Sequence, residues 1–137
     1  MKSLDIIVID NESVICDACN LVLTERGHVV DYCKTGKTGL LAVERGRYDL
    51  LLLDMKLPDM DGMDILKTVR EKRPELLVIV MTGYSTLLNA VQAMKLGAAD
   101  YLSKPFTDDE LMETVERIFV NKAVAEPMKG EYLHEQQ

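Results

Sequence analysis

No apolar run in this sequence approaches the ~20 residues that a helix needs to cross a bilayer. The opening Met1-Lys2-Ser3-Leu4-Asp5 has neither the apolar stretch nor the cleavage site of a secretory signal. The expectation is a cytoplasmic protein that does not engage a membrane. Cysteine is scarce, and three residues, an odd number, make no disulfide framework. Cys16 and Cys19 form one CxxC, with no second pair and no histidine cluster to complete a zinc site. The same spacing falls on a helical stripe with Ile15, Val22 and Leu23, so both thiols are expected to be small buried hydrophobes. Of the two histidines, His28 begins a strand pattern and His134 lies in a polar tail, which argues against histidine-based catalysis. Basic residues are outnumbered 23 to 16, for a net charge of -7. Such a chain is poorly suited to neutralising nucleic-acid phosphates. It is compatible with a hard cation or a basic partner surface. There are no internal repeats and no low-complexity stretch.

What is present is a regular alternation. The 137 residues, 47% hydrophobic and 28% charged, suit one globular domain. Four short apolar runs each end in a polar residue: Ile6–Ile9 in Asp10, Leu50–Leu53 in Asp54, Leu76–Met81 in Thr82, and Tyr101-Leu102-Ser103 in Lys104. Helical patterns separate them, the signature of βαβ units and a parallel sheet. Ligands of such sheets sit outside the carboxyl ends of the strands, where the winding reverses. Two carboxylates, a hydroxyl and an ammonium are thereby expected on one edge, a set suited to a divalent cation and a phosphoryl group.

Strands are expected near 4–10, 28–33, 49–54, 76–81 and 99–103. Helices are expected near 13–26, 35–45, 61–72, 85–96 and 107–120. Gly27, Gly46 and Gly97 are placed to end helices. Thr35 and Asp61 can cap helices two and three, and Thr107 with Glu110 fits a capping box. Residues 1–120 form the expected domain, and 121–137, broken by Pro127 and Gly130, read as a helix extension, linker or frayed tail.

Two motifs fail on inspection. Gly36-Lys37-Thr38 has the end of a phosphate-binding loop, but Asp31 occupies the upstream glycine position. Asp59, Asp61 and Gly62 suggest a calcium loop, yet the spacing is wrong and Arg70 stands where the closing glutamate belongs. Those carboxylates are expected to cap helix three and shape its loop.

Asp10, Asp54, Thr82 and Lys104-Pro105, with the loop Leu57-Pro58-Asp59-Met60-Asp61-Gly62, resemble the receiver domain of bacterial two-component response regulators over about residues 4 to 120. The segment from Met81 to Gly97-Ala98 looks most like receivers of enhancer-binding transcription activators. The resemblance implies a flavodoxin-like α/β fold: a doubly wound five-stranded parallel sheet, order 2-1-3-4-5, with helices on both faces. It implies that Asp54 accepts a phosphoryl group from a phosphohistidine or an acyl phosphate, giving an aspartyl phosphate. Mg²⁺ would be held by Asp10, Asn11, Asp54 and the backbone carbonyl of Lys56, while Lys104 pairs with one phosphoryl oxygen and Thr82 with another. Tyr101 would be the switch aromatic, remodelling the helix 4–strand 5–helix 5 face, also a candidate homodimer surface. A cis peptide before Pro105 is implied as well. The partner would be a sensor histidine kinase or a phosphotransfer protein, and the only catalysis would be the domain's own phosphoryl transfer and autodephosphorylation.

One departure stands out. The family usually carries two acids after strand one, and this chain has Asp10-Asn11. Asn11 keeps a carbonyl oxygen but loses a charge, so weaker Mg²⁺ binding is expected. Glu12 either compensates or is a solvent-facing acid of the first helical turn. Two further readings compete. A haloacid-dehalogenase-type phosphatase needs a second Asp two residues past its nucleophile, and Glu12 and Lys56 hold those places. A pseudo-receiver, acting only as an interaction module, has Asn11 in its favour.

Overall fold

The computed structural model describes residues 2–83 and 87–120. Nine elements alternate strictly: β1 (Asp5–Ile9), α1 (Ser13–Glu25), β2 (Val29–Cys33), α2 (Gly36–Arg45), β3 (Leu50–Asp54), α3 (Gly62–Lys72), β4 (Leu77–Thr82), α4 (Leu87–Lys95) and β5 (Asp100–Ser103). A further helix, α5, covers residues 108–120. The strands form one parallel sheet in the order β2-β1-β3-β4-β5, the order expected.

The sheet is covered on both faces, which is why its central strands carry uninterrupted apolar runs rather than an alternating pattern. Side chains still alternate between faces. Ile6, Val8, Leu50, Leu52, Ile79 and Met81 pack with Cys16, Cys19, Val22 and Leu23 of α1 and Leu111, Met112 and Val115 of α5. Ile7, Ile9, Leu51, Leu53, Val78 and Val80 pack with Val43 of α2, Ile65, Leu66 and Val69 of α3, and Ala93 of α4. Cys16 and Cys19 are fully buried free thiols, as their place on the stripe requires.

The helix ends follow local chemistry. Gly27 and Gly97 adopt φ of 87° and 101°, the left-handed region that glycine enters at little cost. Each sits in a paired hydrogen-bond closure, His28 N–H to Leu23 O with Gly27 N–H to Thr24 O, and Ala98 N–H to Ala93 O with Gly97 N–H to Met94 O. Gly46 also follows a helix, but in extended backbone (φ −93°, ψ 172°). Thr35 Oγ1 accepts from Thr38 N–H, Asp61 Oδ1 from Met63 N–H, and Thr107 and Glu110 form the reciprocal capping box.

Three expectations need adjustment. Thr82, placed just past the expected strand 76–81, is the last residue of β4. His28 precedes β2 rather than opening it; it is buried, and its Nδ1 accepts from Leu4 N–H at 3.0 Å. Asp59 does not cap α3. Its carboxylate crosses to α2 and accepts from Gly36 N–H and Lys37 N–H at 2.8 and 3.0 Å, because the β3–α3 loop passes the start of that helix. The expected start of helix four at Ser85, the loop residue Tyr84 and the segment 121–137 lie outside the described residues. Among the described residues, no helix is long and apolar enough to cross a membrane.

Candidate functional site

The sheet register brings the strand-end residues together. β1 and β3 pair through Ile9 and Leu53, so the next residues, Asp10 and Asp54, emerge side by side where the winding reverses. Asp10 is held from below by its own N–H, which donates to Cys33 O at 3.0 Å. On the other side of β3, Thr82 ends β4 opposite Ser103, and Lys104 N–H donates to Thr82 O at 2.9 Å. Lys104 is joined to Pro105 by a cis peptide, as expected.

The side chains converge. Lys104 Nζ lies 2.6 Å from Asp10 Oδ2, 3.4 Å from Asp54 Oδ2 and 3.2 Å from Glu12 Oε1. Asp10 is fully buried and Asp54 and Thr82 nearly so. The backbone shapes the carboxylates: Glu12 N–H donates to Asp10 Oδ1 at 2.8 Å, and Lys56 N–H to Asp54 Oδ1 at 3.2 Å. An open cavity of about 400 Å³ lies over them, lined by Asn11, Glu12, Asp54, Lys56, Thr82 and Lys104 among others.

The electrostatics are those of carboxylates crowded around one cation. Burial raises the pKa of Asp54 and the charge of Asp10 raises it further, while Lys104 and the Lys56 N–H oppose the rise. For Lys104, burial alone would lower the pKa, but Asp10, Asp54 and Glu12 outweigh it and hold the ammonium above its ordinary value. The buried Asp10 Oδ2 has the Lys104 ammonium as its ion-pair partner.

Glu12 is the residue that sequence reasoning left open. Its carboxylate is exposed but turns inward, with ligand oxygens of Asp10, Glu12 and Asp54 all within 4.8 Å of one another. Asn11 lines the same cavity and is exposed. The clustered carboxylate oxygens of Asp10, Glu12 and Asp54 fit a small hard cation, which takes carboxylates, carbonyls and water. Tyr101, half-buried, packs on the α2–α3–α4 face, and strand alternation puts Thr82 on that same face. Thr82 also borders a second cavity of about 430 Å³ that reaches Asn89 and Gln92 of α4.

Comparison with known proteins identifies the family of the chain. The family model described as the response regulator receiver domain matches residues 6–116. The transcriptional regulatory protein DltR of Streptococcus agalactiae is 38% identical over 110 residues, covering 80% of this chain and 49% of that protein. The DNA-binding transcriptional regulator NtrC of Proteus hauseri is 38% identical over 117 residues, covering 85% of this chain and 25% of its own length. The crystal structure of a CheY-like receiver domain protein from Methanospirillum hungatei superposes with a TM-score of 0.83 at 31% identity, covering 89% of this chain and 98% of that one. The chain thus spans from a quarter to half of the length of these curated relatives. With the family model matching most of the chain and the sheet order shared with a solved receiver structure, the chain belongs to the response regulator receiver domain family.

Proposed function

We propose that this domain is a phosphorylation-controlled switch whose acceptor is Asp54. The observation that carries the reading is the convergence of Asp10, Asp54 and Lys104 at the reversal point of the sheet, with Lys104 Nζ 2.6 and 3.4 Å from the two carboxylates. The donor is the phosphohistidine of a sensor kinase or a phosphotransfer protein. Asp54 Oδ attacks phosphorus as the bond to the imidazole nitrogen breaks, and the phosphoryl group stays on the carboxylate. An anion attacking an anion depends on positioning and charge neutralisation.

Asp10, Asn11, Asp54 and the backbone carbonyl of Lys56 would hold Mg²⁺, and Glu12 adds a charge that Asn11 lacks. When bound, the cation neutralises charge on the transferring phosphoryl group. Lys104 exchanges its carboxylate partner at Asp54 for a phosphoryl oxygen, and the Thr82 hydroxyl takes another. Movement of Thr82 toward the phosphoryl group makes room for Tyr101. The α4–β5–α5 face changes accordingly, either to meet an output partner or a second copy of the chain. Support for this arm comes from the shared face of Thr82 and Tyr101 and from the cavity between Thr82 and α4. Residues 1–120 are the receiver unit, with 121–137 as the segment that follows. A cytoplasmic location and a transcriptional output, without nucleic-acid contact by this domain, complete the reading.

Intact-mass spectrometry after incubation with acetyl phosphate tests it. One phosphoryl adduct, dependent on Mg²⁺ and absent from Asp54→Asn, is expected. A folded protein that gains no adduct while a control receiver does would overturn the proposal and leave an interaction module, the reading that Asn11 favours.

A further inference from the structure

We propose that the β2–α2 turn braces both loops flanking the site, and that Lys34 and Asp59 are the positioning residues through which it acts. The inference rests on the receiver reading, because it concerns the geometry of that cation site.

The turn begins where β1 ends. Asp10 N–H donates to Cys33 O, fastening the base of the site to the last residue of β2. The next side chain, Lys34, donates from Nζ to Ser13 Oγ, the first residue of α1 and the immediate neighbour of Asn11-Glu12. Two residues later α2 starts, and its first amides have no partners within the helix. Gly36 N–H and Lys37 N–H instead donate to the two oxygens of Asp59, three residues past Lys56. These bonds hold the Asp59 carboxyl below the usual carboxylate range.

Asp59 belongs to a loop that is pinned on its other side as well. Lys56 and Asp61 form an antiparallel bridge, and Gly62 N–H donates to Met55 O at 3.1 Å. The contact with α2 is close: a Cβ on Gly36 would lie 2.9 Å from Met60 Sδ and 3.0 Å from its Cβ. One turn thus reaches the loop carrying Asn11-Glu12 through Lys34, and the loop carrying Lys56 through Asp59. Thr35, between them, bonds within its own helix, to Thr38.

The test is Mn²⁺ affinity of the full chain, read by electron paramagnetic resonance without a phosphoryl donor, in Lys34→Met, Asp59→Ala and Thr35→Ala. Partners that orient metal ligands contribute tenfold or more to affinity, so Lys34→Met and Asp59→Ala should each raise the Mn²⁺ Kd on the order of tenfold, with Thr35→Ala within about twofold. Thr35→Ala removes a cap from the same helix and controls for lost stability. Lys34→Met separates bracing from charge, because deleting a cation near the site would by itself tighten metal binding. Faster amide exchange at 55–57 in the metal-free Asp59→Ala protein is the second expected result. Unchanged or tighter Mn²⁺ binding by Lys34→Met, or equal effects of Asp59→Ala and Thr35→Ala, would overturn the brace. If the unsubstituted chain binds Mn²⁺ and accepts one phosphoryl group while the variants match it, the brace alone falls. If it binds no Mn²⁺, the brace and the cation arm of the receiver reading fall together.

Discussion

Lys104 Nζ sits 2.6 Å from Oδ2 of Asp10, joining a lysine after the last strand to an aspartate after the first. Asp10 is fully buried, and the Lys104 side chain is only 10% exposed. The pair therefore interacts with little solvent screening, and Asp54 shares the same ammonium.

Removing that ammonium leaves two buried carboxylates facing each other. Lys104→Ala is expected to destabilise the protein by about 3 kcal/mol, the lower end for losing one partner of a buried pair. Against a typical domain stability of about 5–15 kcal/mol the fold survives. Urea denaturation should show the loss, and added Mg²⁺ should recover part of it by binding the native state. Phosphoryl acceptance should persist while the change in the α4–β5–α5 surface is lost.

Gly62 lies against the backbone at the end of β3. A Cβ there would stand 2.5 Å from Met55 Cα and 2.8 Å from Asp54 O, both backbone atoms that cannot swing aside. Gly62→Ala should cost about 1–3 kcal/mol, as overpacking of a close contact does. It should also slow labelling by acetyl phosphate, because the backbone it displaces carries Asp54. Thermal melting and the labelling rate check the two effects separately.

His28 gives the fold a pH dependence on the acid side. Its pKa is lowered from 6.5, first by burial and further by Arg26, and its Nδ1 accepts a hydrogen bond from Leu4 N–H only while unprotonated. The unfolded chain binds this proton more readily, so the contribution is complete above pH 6.5 and fades as pH falls through the folded value. Urea midpoints should decline over that range. His28→Gln, which keeps an acceptor but does not titrate there, should flatten the slope.

Cys16 and Cys19 should be inert. Burial, with the charge of Asp10, pushes their thiols up to about 11 and about 12. The thiolate is the reactive form. Ellman's reagent at pH 8 should leave both unmodified in the native protein and label them promptly in denaturant. Zinc chelators should change neither stability nor labelling.

The order of elements and the identities of Asp10, Asp54, Thr82 and Lys104 were legible from the sequence, because a doubly covered parallel strand requires an apolar run and the polar residue that ends it marks the open edge. The local caps at Thr35, Asp61 and Thr107 were legible for the same kind of reason: each depends on hydrogen bonds within three residues.

Asp59, Glu12 and Lys34 were not. Asp59 stood beside a helix it could have capped, yet its partners are the amides of Gly36 and Lys37, far away in sequence. Glu12 had two open readings, and the position of Lys104, from the other end of the chain, turned it toward the site. Lys34 carries no motif at all, and its contact with Ser13 exists because β2 packs beside β1. Periodicity and local hydrogen bonding are written in short stretches of chain, so the sequence alone determined the strands, the helices and the acids at their ends. Which carboxylate meets which amide or ammonium across loops depends on how those elements pack, and only the tertiary structure decided that.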